Sequence, residues 1–167
     1  MEKMLNHIVE VIMLIGMLFL TIKFWSWKFK RGYQINKGNL SYSIFICFQL
    51  MTLFLIFLLS QDVQISVFLE TLQLFGSTAI NYWIYIGVLI SGVSISFILS
   101  NLIGHLLFLT AIKDEISLYD EIKANNISQV ILSSTITLIV GMLLGNYLLK
   151  PLLFDWISNS RNLIPMI

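Results

Sequence analysis

Proline, cysteine and charge are all scarce in this chain. Its 167 residues include two prolines, one cysteine and only 11% charged side chains, where a soluble domain carries about 25%. Pro151 and Pro165 lie near the C-terminal end, so the long apolar stretches before them meet no residue that breaks an α-helix. The single thiol, Cys47, excludes an internal disulfide framework and a dithiol redox pair. The missing charge is replaced by 57% hydrophobic residues and a mean hydropathy of +0.87, which together define a membrane protein rather than a solvated domain. Net charge of +1 says little; what matters is where the charges stand.

The patterns of catalysis are missing as well. No Gly-x-Ser-x-Gly elbow, His-Glu-x-x-His helix, phosphate-binding glycine loop or Cys-x-x-Cys pair occurs. The two histidines, His7 and His105, stand far apart, which argues against a metal centre. The acidic stretch around Asp114 and Glu121 lacks the central glycine of a calcium loop. The expectation is a protein that is not an enzyme and uses no cofactor. Trp25 and Trp27 interleave with Lys23, Lys28 and Lys30. At the end of an apolar helix this is an interfacial belt rather than a nucleic-acid surface.

What the chain does have is a junction used twice. Gln34-Ile35-Asn36-Lys37-Gly38-Asn39-Leu40-Ser41 and Glu121-Ile122-Lys123-Ala124-Asn125-Asn126-Ile127-Ser128 each close a polar stretch and open an apolar run. Upstream, Phe19-Leu20-Thr21 recurs as Phe108-Leu109-Thr110. The unit is an internal repeat of apolar, polar and apolar segments. An apolar helix entering lipid must still satisfy the N–H groups of its first turn. Asn39 and Asn126 are suited to cap them. Gly38 and Asn125, one position earlier, are residue types that tolerate a left-handed backbone. Both copies also read as Asn-x-Ser glycosylation sequons, a reading that requires a secretory lumen.

Four runs are long enough to span a hydrocarbon core, which takes roughly 20 residues. They divide the chain into a two-helix unit over 1–60, an amphipathic interfacial helix over 61–81, a second two-helix unit over 82–154 and a tail over 155–167. In the amphipathic stretch Ile65, Phe68, Leu69, Leu72 and Phe75 recur at helical spacing, with Gln64, Glu70 and Gln73 opposite. On the third run Gly92, Ser96, Ser100 and Gly104 fall at every fourth residue, and on the fourth Ser133, Thr137, Gly141 and Gly145 do the same. Small residues at this spacing let helices approach closely in lipid. A pore lined by the hydroxyls is the alternative. Ionisable or strongly polar side chains within spans are functional candidates by default, and here they are Gln49, Asn101 and His105. Glu10, with His7 one turn earlier, is explained equally by a side chain reaching the outer interface.

Cations set the orientation. Lys23, Lys28, Lys30, Arg31, Lys37, Lys113 and Lys123 fall on one side of the four runs; Lys3, Lys150 and Arg161 fall on the other. By the positive-inside rule the first group is cytoplasmic and both termini are outside. With two spans per unit, the two units insert in parallel. The first inner loop is basic, through Lys28, Lys30 and Arg31, and the second acidic, through Asp114, Glu115, Asp120 and Glu121. If the two meet within the chain, opposite charges hold repeat to repeat; if they meet between copies, the contact is head-to-tail and closes a ring.

At Ile35-Asn36-Lys37-Gly38-Asn39 and Tyr119-Asp120-Glu121-Ile122-Lys123-Ala124-Asn125-Asn126 the chain resembles the YjfL-like family of bacterial inner-membrane proteins, which are built from two copies of a two-helix domain. The family pattern is Ile-x-x-Gly-Asn followed by spaced small residues. Asn125 departs from its glycine, and Tyr42 and Phe45 make the second helix bulkier. The resemblance implies a bacterial inner membrane and brings no activity with it.

The sequence thus predicts an all-α polytopic membrane protein with four transmembrane helices in two parallel repeats and an outer amphipathic helix. Its partners are expected to be the lipid bilayer and further copies of itself, in an assembly that forms or regulates an ion-conducting path. A scaffold that recruits a soluble cytoplasmic partner through its inner loops is the alternative. No nucleic-acid partner is expected.

Overall fold

The computed structural model describes the backbone of residues 2–32, 38–75, 79–112, 117–149, 151 and 155, and the side chains of 8–31, 38–60, 83, 86–111, 117–149, 151 and 155. Among these residues the protein is helical throughout, without a strand. Helix α1 covers Glu2–Gly32, α2 Leu40–Phe75, α3 Ala79–Ile112, α4 Leu118–Lys123 and α5 Ile127–Leu144. A π-helical turn over Gly145–Leu149 continues α5. The widened turn sits just before Pro151, whose missing N–H and bulky ring do not suit an undistorted helix. Four segments are long and apolar enough to cross a membrane: Ile8–Arg31, Leu40–Ser60, Ile86–Ala111 and Ile127–Leu149. The chain is an all-α polytopic membrane protein.

The expected separate helix over 61–81 is not a separate element in the backbone. Helix α2 runs through Gln61–Phe75 without a break. Nothing in Leu40–Phe75 stops it, since that stretch holds neither glycine nor proline. Whether its polar and apolar faces meet a membrane surface concerns side chains outside the described residues. Helix α3 spans 34 residues, about 51 Å, well beyond a hydrocarbon core of roughly 30 Å.

Helices α2, α3 and α5 form the packed centre, and α1 leans chiefly on α2. Helices α2 and α5 start at the same end of the bundle, where their junctions touch; this is called the junction end below. Two apolar clusters fill the interior. One joins Leu53, Ile56, Phe57, Leu89, Val93 and Leu149. The other, at the junction end, joins Trp25, Phe29, Phe45, Phe108, Leu118, Ile122 and Val130. Its aromatic rings meet edge to face: Trp25 and Phe45 lie 4.9 Å apart at 89°, and Phe29 meets Tyr42 at 5.2 Å. Such pairs each add about 0.5–1.5 kcal/mol beyond the area they bury.

A layer of small and hydroxylated residues joins the three central helices. A Cβ placed on Gly104 of α3 would stand 2.8 Å from the Thr137 Cα of α5, so these two backbones are as close as glycine allows. Gly141 of α5 faces a different partner, with the Thr52 methyl of α2 at 2.7 Å from such a Cβ, and Gly145 faces Leu59 and Ile56. The small residues of α5 are thus shared between α3 and α2. Ser96, Ser100, Ser133 and Thr137 are buried within the chain, and Gly92 is half-buried. Several hydroxyls bond back to their own helix: Ser100 Oγ to the Phe97 carbonyl at 2.8 Å, Thr137 Oγ1 to the Ser133 carbonyl at 3.1 Å, and Thr52 Oγ1 to the Phe48 carbonyl at 2.8 Å.

Candidate functional site

The junction end is built by two asparagines, each of whose side chains bonds the backbone of the other junction. Asn39 caps α2, its Oδ1 accepting from the Tyr42 N–H at 2.8 Å. Its Nδ2 also donates to the Ile122 carbonyl at 2.7 Å, near the end of α4. Asn125 has φ of 58° and ends α4 as glycine often does, with the N–H of Asn126 on the Glu121 carbonyl and its own N–H on the Ile122 carbonyl. Its Oδ1 then crosses over to accept from the Ser41 N–H at 3.0 Å. Two N–H donors of α2's first turn that lack helical partners are thus satisfied, one from its own junction and one from the other.

The equivalence suggested by the repeated sequence is incomplete here. Asn126 holds the N-cap position of α5, but its side chain makes no capping bond. The left-handed backbone occurs at Asn125 and not at Gly38. The physical reason is the connection: α4 ends directly before α5 and needs a left-handed turn to stop it, and that turn directs the Asn125 side chain toward α2.

Helix α4 is started by Ser117, whose Oγ accepts from the Asp120 N–H and donates to the Asp120 carboxylate at 2.6 Å. Leu118 and Ile122 anchor it in the core, which leaves Tyr119 to face Lys28 of α1. The Lys28 Nζ donates to the Tyr119 hydroxyl at 2.6 Å. It also lies over two rings, 5.0 Å from the Trp25 centroid and 4.5 Å from that of Tyr119, where an ammonium is attracted to the aromatic faces. The expected pairing of basic and acidic loops is not made within the chain among the described residues. Lys28 binds a phenol instead of a carboxylate, and Lys30, Arg31 and Glu121 make no ion pair. Asp114 and Glu115 lie outside the described residues.

Below this roof lies a cavity of about 370 Å³ between α1 and α3, lined by fourteen side chains, among them Trp25, Lys28, Gln49, Asn101, His105, Tyr119 and Thr137. The volume is in the range of small-molecule sites. Gln49, Asn101 and His105, singled out separately in the sequence, meet here with Thr137 from the fourth span. Gln49, Asn101 and Thr137 each lie roughly 14–16 Å along their helices from the junction end, near half the depth of a bilayer core. Asn101 donates its Nδ2 to the Phe97 carbonyl at 3.0 Å. Gln49 is 1% exposed, yet its Oε1 has no hydrogen-bond partner, and neither does the buried Trp25 Nε1. Unpartnered buried polar atoms are costly, and both belong to residues of the cavity wall. The remaining wall is apolar, with Phe24, Phe45, Phe97, Ile98, Leu102 and Leu106.

Sequence reasoning missed Tyr119, Trp25 and Thr137 as cavity residues. Trp25 reads as an interface anchor and Thr137 as part of a packing row, and only the folded arrangement turns them toward one space. Among the described residues no group of three or more His, Cys, Asp or Glu is placed to hold a metal ion. The fold and the cavity therefore define a multi-pass helical membrane protein with a mainly apolar recess that holds a few polar groups toward its junction end. No family model, curated protein or solved structure matches the chain.

Proposed function

We propose that this protein is a non-enzymatic membrane subunit that assembles head-to-tail into a homo-oligomer and forms or regulates an ion-conducting path between copies. The observation that carries the reading is the set of opposite charges at the junction end that, among the described residues, are left without ion pairs inside the chain. Lys30 and Arg31 are exposed at the end of α1, and Asp120 is exposed on α4 with Glu121 beside it. Charges so placed answer one another between neighbours, and a head-to-tail contact that closes makes a ring. The small residues at Gly104, Gly141 and Gly145 are occupied by packing within one chain, which supports a path between copies rather than along those rows. The YjfL-like resemblance of the junctions fits the same reading and suggests the bacterial inner membrane, with the junction end cytoplasmic. The test is the mass of the complex in lipid nanodiscs at low and high salt. A defined multimer that loosens as salt screens the charges is expected, and conductance in planar bilayers follows from it. A salt-insensitive monomer overturns the proposal.

A second reading is a scaffold for a soluble cytoplasmic partner. It is favoured by Trp27, 55% exposed and stacked under the Arg31 guanidinium at 5.4 Å, since aromatic and arginine side chains anchor protein interfaces. Reversing the charges of Arg31 and Asp120 removes every bound partner if this reading holds, and leaves them bound if it does not.

A further inference from the structure

The cavity between α1 and α3 has a cation at one end, unpartnered polar atoms in its wall, and an open side. Lys28 is half-buried and, among the described residues, no carboxylate pairs with it; none lines the cavity. A cation withdrawn from water without a counter-charge favours an anion, and the ammonium keeps two N–H donors beyond the one given to Tyr119. Deeper in, the Trp25 Nε1–H and the Oε1 of the Gln49 amide are buried without partners. A half-turn of that amide presents its NH₂ in place of its oxygen. The site thus offers a charged donor at the rim and neutral donors further down. Along the open side the lining residues Phe24, Ile98 and Leu102 are 53%, 62% and 58% exposed, so this mouth faces the apolar bilayer rather than water.

A molecule matching that order has an anionic head, then neutral acceptors, then apolar chains that leave sideways. We infer that the cavity binds one anionic phospholipid of the leaflet at the junction end. Its phosphate rests on Lys28, its glycerol ester carbonyls accept from Trp25 and Gln49, and its chains pass out between Phe24 and Leu102 into the membrane. The volume of about 370 Å³ need hold only the head and glycerol region, because the chains stay in lipid. The inference is independent of the oligomer proposed above, since every group it uses lies in one chain.

Native mass spectrometry of the full chain tests it, with the protein released from micelles holding equal amounts of phosphatidylglycerol and phosphatidylcholine. One tightly retained phosphatidylglycerol per chain is expected, preferred by about tenfold (about 1.4 kcal/mol), because phosphatidylcholine carries the same phosphate but sets its own quaternary ammonium beside Lys28. Lys28→Gln should erase the preference, Lys28→Arg should keep it, and Lys30→Gln, at the same end but outside the cavity, should leave it unchanged. Leu102→Trp, at a lining position that is 58% exposed, should lower retention of both lipids alike. Equal retention of the two lipids by the unmodified chain overturns the inference, as does a preference that survives Lys28→Gln or falls equally with Lys30→Gln. Displacement of the lipid by excess inorganic phosphate would make this a site for free anions and overturn it as well.

Discussion

Asn39 and Asn126 occupy matching places in the repeated sequence, and the structure uses them differently. Asn39 accepts from Tyr42 and donates to Ile122, so its truncation removes a cap and a tertiary bond together. Asn39→Ala should destabilise the protein by about 1–3 kcal/mol, measured by unfolding in mixed micelles. Asn126→Ala, which removes no capping bond, should cost less than about 0.5 kcal/mol. Equal losses for the two would show that the caps are equivalent after all. Asn125 separates backbone from side chain: Asn125→Gly keeps the left-handed turn and loses only the bond to Ser41, whereas Asn125→Ala also strains φ of 58° at about 1–2 kcal/mol. The alanine variant should therefore be the less stable of the two. Residue type alone revealed that the junctions are helix starts. Which asparagine reaches across to the other helix was not legible, because that depends on where α4 ends in space.

At the scale of the element, apolar length and the lack of helix breakers made the spans readable. Where helices end against one another was less so. The row of Gly92, Ser96, Ser100 and Gly104 reads as a packing face from its spacing, but nothing in the spacing tells that Gly104 meets Thr137 while Gly141 turns to α2. The glycines can be ranked by what a methyl group would strike. Gly104→Ala drives a Cβ to within 2.8 Å of the Thr137 Cα; a backbone atom cannot step aside, so α3 and α5 must part, at about 1–3 kcal/mol. Gly141→Ala meets the Thr52 methyl at 2.7 Å, a side-chain atom whose rotation would give up the bond to the Phe48 carbonyl, and should cost less than Gly104→Ala because no backbone atom stands in the way. Gly87→Ala meets nothing within 4 Å and should be neutral or, through helix propensity, stabilising by up to about 1 kcal/mol. Unfolding midpoints of the three variants in one micelle mixture decide the order. The continuity of α2 past Ser60 shows the limit of the same reading: a change from uniform apolarity to amphipathic spacing marks a change of surroundings, not necessarily a turn.

At the scale of the whole molecule, the two ends of the bundle differ in chemistry. One end carries the junctions, the aromatic cluster, α4, and the cations Lys28, Lys30 and Arg31. A cation excess within a few residues of the span ends sets orientation during insertion, so this end should face the cytoplasm. The single native thiol makes the test clean, because Cys47 sits within the second span and is removed by one conservative substitution. In a Cys47→Ser background, Gly38→Cys places a thiol in the first junction at an exposed site with nothing within 4 Å. A membrane-impermeant maleimide should leave it unlabelled in sealed right-side-out vesicles and label it fully once they are opened. Labelling of sealed vesicles would reverse the orientation. It would also move the cavity and its lysine to the outer leaflet, and turn the charged junction surfaces away from any cytoplasmic partner. The outcome thus bears on more than topology, since every role argued for Lys28, Lys30 and Asp120 depends on which side of the membrane supplies the lipid, the neighbour or the partner they meet.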